Sequence, residues 1–238
     1  MASGGKAPDG RQARWQKHNE ERRQVIIDAA LAVVEAGEPG AEFHVQQIAE
    51  QAGLSRSVVY RHFADRADLD HAIQVQVLED LTAHLLPAVN LEGTINEVIR
   101  RIVTTYVRWA VEHPALHRLV EHAQAGAGSA DQGINRVATV LVEVLETAVE
   151  LLGLELDDDD AAALDPLAYG LVGAVFGAVR RWVGRRARRP DADQVAGLLS
   201  QSVWHILDGH ADRLGLSLDP DVPLEELLAV PDPEAAGA

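Results

Sequence analysis

Apolar residues in this chain recur three and four positions apart through residues 25–207, and no stretch of useful length alternates apolar with polar. A period near 3.6 gathers apolar side chains on one face of a helix, whereas a half-buried strand needs a period of two. The pattern predicts an all-α protein of about nine helices, bounded by glycine, proline and capping residues. A first helix is expected from about Glu21, with Val25, Ile26, Ala29, Ala30 and Val33 on one face, stopping at residues 37–40. Two short helices follow at 45–51 and 55–63. A further helix begins after Asp65 and ends near Pro87. The remaining expectations are 94–112, a short helix to 124 opened by Pro114, 134–152, 164–186 and 194–210. Between them lie a small-residue loop at 125–133 and an acidic linker that includes residues 157–160.

Composition narrows the chemistry. The 238 residues are 47% hydrophobic and 24% charged, which excludes a disordered chain. There is no cysteine, so disulfides, thiolate metal sites, iron–sulfur clusters and cysteine nucleophiles are all excluded, in keeping with a reducing cytoplasm. Residues 1–10 carry no apolar core of a signal peptide. The longest uncharged stretch, 166–179, has 14 residues, against about 20 for a spanning helix. A cytoplasmic protein without a membrane partner is expected.

A formal net charge of −16 argues against nucleic acid until it is divided along the chain. Residues 1–66 hold nine basic and nine acidic side chains, while residues 67–238 hold 12 basic and 28 acidic. The N-terminal quarter is neutral and the rest is strongly acidic. Charge therefore permits phosphate binding at the N-terminal end without demanding it.

That end contains two short helices joined across a glycine, the spacing of a helix-turn-helix. Val45, Ile48 and Ala49 face inward on the first, and the small Ala49 lets the second cross closely. Gly53 suits the φ > 0 turn, Leu54 plugs the core, and Ser55 is placed to cap the second helix through its hydroxyl. Val59 and Phe63 lie four apart and pack inward, leaving Arg56, Ser57, Tyr60 and Arg61 accessible. A helix of this kind fits the DNA major groove, with Arg56 as the leading base-contact candidate. On spacing alone an ordinary αα-hairpin is the alternative.

Ile48-Ala49, Ala52-Gly53-Leu54-Ser55, Tyr60, His62-Phe63, Arg66 and Leu69 together resemble the signature of the TetR family of transcriptional regulators, and the likeness covers about residues 21–81. The resemblance implies that residues 44–63 read DNA and that Gln46, Ser55, Arg56, Ser57, Tyr60, Arg61 and His62 stand at contacting positions. Arg66 replaces the family's usual Lys and keeps a charge for phosphate. His44 stands where Thr or Ser often caps, so it either contacts phosphate or fills the turn. The implied organisation is a flexible arm at 1–20, the DNA-binding domain at 21–81, an effector-binding and dimerisation domain at 82–212 and a weakly ordered tail at 213–238.

The resemblance also implies a homodimer through the last two long helices. Independently, Gly170, Gly173 and Gly177 suggest close approach by another helix, and Val195, Leu198, Leu199, Ser202, Val203, Ile206 and Leu207 form a packing seam. Burial of both within one chain is the alternative. A ligand pocket between the middle helices is implied, for which Tyr106, Trp109, His113, His117, Tyr169, Phe176 and Trp182 are candidates, ordinary core packing being the alternative for each. His113, His117 and Glu121 sit four apart and raise a metal site. The cluster Arg180, Arg181, Arg185, Arg186, Arg188 and Arg189 reads as the solvated end of a helix, able to pair with residues 157–160.

The expected function is a repressor released from a palindromic DNA operator by a small molecule, with no catalytic residues, metal or cofactor. A metal-dependent helical enzyme and a scaffold without operator recognition are the alternatives. The enzyme lacks an H-E-x-x-H element, a phosphate-binding loop and a nucleophile elbow.

Overall fold

In the computed structural model, residues 10–90, 92–125, 130–151 and 153–227 are described, with side chains for 17–90, 92–119, 135–151 and 153–227. The described residues form ten α-helices and no strand beyond an isolated bridge between Thr94 and Pro223. The all-α expectation holds. The helices are α1 Gly10–Ala36, α2 Val45–Gln51, α3 Arg56–His62, α4 Arg66–Leu85, α5 Ile95–Glu112, α6 Pro114–Ala125, α7 Ala130–Leu151, α8 Asp158–Val183, α9 Ala192–Arg213 and α10 Leu224–Leu227.

Two cores organise them. The head is built by α1 to α4 around Ile26, Ala30, Ile48, Ala49, Val59, Phe63, Leu69 and Ile73. The body packs Val77, Leu81, Leu85, Val103, Tyr106, Val107, Phe176, Val179 and Leu199. Helix α4 belongs to both: Leu69 and Ile73 serve the head, and two turns later Leu81 serves the body. Leu31, Phe43 and Leu119 touch both cores, so no linker separates them.

Several limits differ from the expected ones. Helix α1 begins at Gly10 instead of Glu21, so part of the expected arm is helical. Residues 10–20 lack an apolar stripe, but their Arg, Gln, Ala, Lys and Glu are good helix formers and extend a helix nucleated by its packed half. The acidic run is no linker: Asp157 caps α8, accepting from the Asp160 N–H at 2.8 Å, and Asp158 to Asp160 form the first turn. Carboxylates are favoured there by the capping geometry and the helix dipole. Part of the expected 125–133 loop is helical from Ala130. The first part of the expected tail folds back, with the Leu224 N–H donated to the Gly93 carbonyl at 2.9 Å.

The arginine cluster does not pair with residues 157–160. The two lie at opposite ends of α8, whose 26 residues span about 39 Å, and Asp160 instead meets Arg213 at 2.8 Å. All six arginines are exposed. By length and composition α8 is one described helix long and apolar enough to cross a membrane, although Leu171, Val172, Phe176 and Val179 are buried within the protein. Among the described residues the expected close approach to its glycines is absent, since none lies within 4 Å of a side-chain position at Gly170, Gly173 or Gly177.

Candidate nucleic-acid interface and cavity

The reading helix is held from three sides. Gly53, with φ +64°, turns the chain between α2 and α3, and the Leu54 N–H is donated to the Ala49 carbonyl at 2.8 Å. Val59 and Phe63 are buried against α1 and α4. Arg23 of α1 then clamps the far end: it donates to the His62 carbonyl at 2.7 Å and the Asp68 carboxylate at 3.3 Å, and covers the Phe63 ring at 4.1 Å. A guanidinium fork suits this three-way role because it is planar and always charged. Asp68 accepts the Ala64 N–H, which with Arg23 holds its carboxyl below the usual range.

This packing leaves one face of α3 outward. Ser55, Arg56, Ser57 and Arg61 are exposed, Tyr60 is half-buried, and the Arg56 guanidinium lies 5.6 Å from the centre of the Tyr60 ring. Gln46 stands exposed on α2, its amide donating to Glu50 at 2.7 Å. The Ser55 hydroxyl pairs with Ser57 at 2.9 Å and makes no cap bond, contrary to the expected capping. His44 occupies the N-cap of α2 in extended conformation, and its N–H is received by the Gln47 side chain at 2.7 Å. The His62 ring is half-buried at the end of α3, where burial and then Arg61, Arg22 and Arg23 lower its pKa, favouring the neutral ring.

Arg66 is engaged within the head while its side chain stays 37% exposed. Its guanidinium binds Asp70 at 2.8 Å and the Phe43 carbonyl at 2.9 Å, and covers the Phe43 ring at 4.5 Å. It fixes the chain leading into α2 against α4. Arg23 was not singled out in the sequence, because its partners lie 39 and 45 residues away and no local pattern announces them.

The body holds a cavity of about 350 Å³ between α5, α7, α8 and α9. Tyr106 and Phe176 line it, their rings stacked at 4.5 Å. The other candidates do not. Trp109 and His117 pack behind Tyr106, His113 binds Glu35 of α1 at 2.5 Å, and Tyr169 faces outward at 39% exposure. Trp182 is used in pinning the α8–α9 connection, donating to the Pro190 carbonyl at 2.8 Å. The wall is chiefly aliphatic, from residues such as Val140, Val144, Leu145 and Leu167. The sequence carries a partial signal for it, since Val137, Val140, Leu141, Val144 and Leu145 of the apolar stripe of α7 all line the cavity.

His117 bonds the Tyr106 hydroxyl through Nε2 at 2.9 Å, and burial, followed by the nearby Arg180, pushes its pKa down to about 4. Of the set His113, His117 and Glu121, His113 is bound to Glu35 and His117 to Tyr106, and the Glu121 side chain lies outside the described residues. No cluster able to hold a metal occurs among the described residues.

The family model for bacterial regulatory proteins of the tetR family matches residues 26–73. Over 210 residues the chain is 26% identical to an uncharacterized HTH-type transcriptional regulator of Mycobacterium tuberculosis, covering 87% of this chain and 86% of the relative. A tetR-family transcriptional regulator from Streptomyces coelicolor superposes with a TM-score of 0.63 at 18% identity, covering 91% of this chain and 94% of that one. FadR from Bacillus subtilis, solved in complex with stearoyl-CoA, gives a TM-score of 0.58 at 14% identity, covering 76% and 96%. The head thus carries the tetR-family motif in register over residues 26–73, and the fold of tetR-family regulators is shared along most of the chain's length.

Proposed function

We propose that this DNA-binding regulator is a cytoplasmic repressor that grips a palindromic operator as a homodimer and is released when a small molecule fills the body cavity. The observation that carries the DNA reading is the outward face of α3, where Arg56, Ser57, Tyr60 and Arg61 are presented together on a helix clamped at both ends. Arg56 and Tyr60 read base edges, while Ser55, Ser57, Arg61, Gln46 and His44 meet sugar and phosphate. His62 closes the helix as a neutral ring, and Arg66 acts by positioning.

The dimer is supported by the outer surfaces of α8 and α9. Leu198 and Ile206 are 61% and 41% exposed, eight residues apart on one helix face, while Val195 and Leu199 are buried. The packing seam thus divides into an inner and an outer stripe. The glycines of α8 offer room for a second copy. A two-fold pair would set two reading helices on half-sites about 34–36 Å apart or a multiple of that.

Coupling between cavity and head is supported by a chain of contacts. Tyr106 lines the cavity and bonds His117 on α6, and α6 places Leu119 against both cores and Arg118 against Gly40 in the α1–α2 turn. A ligand that moves Tyr106 thereby disturbs the seat of the head. The shift it causes is limited by its difference in affinity for the two arrangements.

The test is fluorescence anisotropy with a duplex selected by the full-length protein from random sequence. Arg56→Ala should weaken binding by ~1–3 kcal/mol and relax preference at one base position. Recovery of no preferred sequence by the wild type would overturn the operator reading.

A further inference from the structure

The cavity wall selects by what it cannot satisfy. Apart from Thr82, Asp160, His210 and Arg213 and the rings of Tyr106, Phe176 and Trp204, every described residue lining it is Ala, Val, Leu or Ile. The Thr82 hydroxyl is already spent on the Leu78 carbonyl at 2.7 Å. A ligand with polar groups along its length would leave them without partners there, and burying an unpaired polar group is costly. A saturated chain loses nothing.

The polar residues that remain are gathered at one end. Asp160, in the first turn of α8, meets Arg213, the last residue of α9, at 2.8 Å, and His210 stands one turn before it. Their side chains reach solvent, with Arg213 54% exposed. The Tyr106–Phe176 stack lies far from them, Phe176 standing about 24 Å along α8 from Asp160. Along α5, the wall residues Ile95 and Tyr106 are separated by about 16 Å of helix. The space is therefore long, apolar along its length and polar at a single end.

We infer that the effector is a flexible aliphatic-chain molecule with one polar end group, its chain lying between α5 and α7 and its end group at Asp160, His210 and Arg213. The inference rests on the proposed effector role of the cavity and names the ligand class. The end group is neutral or singly charged. Arg213 already has a carboxylate partner, and Asp158 and Asp159 share the turn with Asp160, so a multiply charged anion meets more repulsion than attraction there.

Isothermal titration calorimetry of the full-length protein, free of DNA, with straight-chain alcohols and fatty acids from octyl to hexadecyl tests this. Affinity should rise about fourfold per methylene, the equivalent of ~0.8 kcal/mol each, until the cavity is filled. Alcohols and acids of one length should differ by less than the step between neighbouring lengths, and the coenzyme A thioester of the same chain should bind more weakly. Val144→Trp, which fills the wall midway, should cut binding of the long chains tenfold or more with its helical circular dichroism unchanged. The wild-type series decides the matter even where that variant fails to fold. Affinity independent of chain length, or tighter binding of the thioester, would overturn the inference. The DNA assay with the same compounds separates the two readings: chain-length-dependent binding that leaves DNA affinity unchanged upholds the ligand class and counts against ligand-controlled release.

Discussion

His117 is a buried imidazole whose pKa of about 4 lies below its ordinary 6.5. Between those values the unfolded chain takes up a proton that the folded ring refuses. Its contribution to stability is therefore full above pH 6.5 and is lost as pH falls toward about 4, on the order of 3 kcal/mol in total. Thermal unfolding followed across this range should show a fall in Tm that is shallower in His117→Gln. Equal slopes in the two proteins would exclude His117 as the source. Gly53 makes a second residue-scale prediction. Its φ of +64° is left-handed, and a Cβ there meets nothing within 4 Å, so Gly53→Ala should cost ~1–2 kcal/mol through the backbone alone. Denaturant unfolding measures it. The inward set Val45, Ile48, Ala49, Val59 and Phe63 and the turn at Gly53 were legible in the sequence because each follows from local spacing. The engagement of Arg66 within the head was not, since its Phe43 partner is 23 residues away and only the assembled fold brings the two together. The Ser55 hydroxyl had a local choice between a cap and Ser57, and spacing does not decide such a choice.

At the scale of elements, helices were legible and their ends less so. Apolar stripes located α4, α5 and α9, but a stripe reports packing, and α1 continues past its own stripe on propensity alone. The acidic first turn of α8 is ambiguous in the sequence because four aspartates look solvated whether they join helices or cap one. The cavity is a missing neighbour, which no single stripe displays: the stripe of α7 reads the same whether it meets a helix or a space. The outer face of α8 supplies the discriminating experiment. Without a partner, Gly173→Ala should stabilise the chain by up to about 1 kcal/mol, as alanine does in a helix interior. With a partner seated there, Gly173→Leu should convert the dimer to monomers while far-ultraviolet circular dichroism stays unchanged. Analytical ultracentrifugation distinguishes these outcomes, and a Leu variant that sediments as the wild type does would move the interface elsewhere.

For the whole molecule, the net charge of −16 governs the conditions of binding. Lys17, Arg22, Arg56 and Arg61 are exposed or half-exposed on α1 and α3. Two heads neutralising about eight phosphates would give a slope near −7 for log affinity against log salt. Titration between low and physiological salt should yield a steep negative line despite the acidic body; a flat one would remove the electrostatic contact from the account.

The continuity of α4 settles what can be made from this gene. A fragment ending at residue 81 would keep the reading motif but strand Val77, Leu78 and Leu81 in water, and would strip Leu31 and Phe43 of their contacts with the body core. The reading motif is not a transplantable module. Grafting it onto another effector domain calls for a donor helix that already presents apolar side chains at the positions of Val77, Leu81 and Leu85, so new sensors are better obtained by reshaping the cavity wall than by exchanging domains.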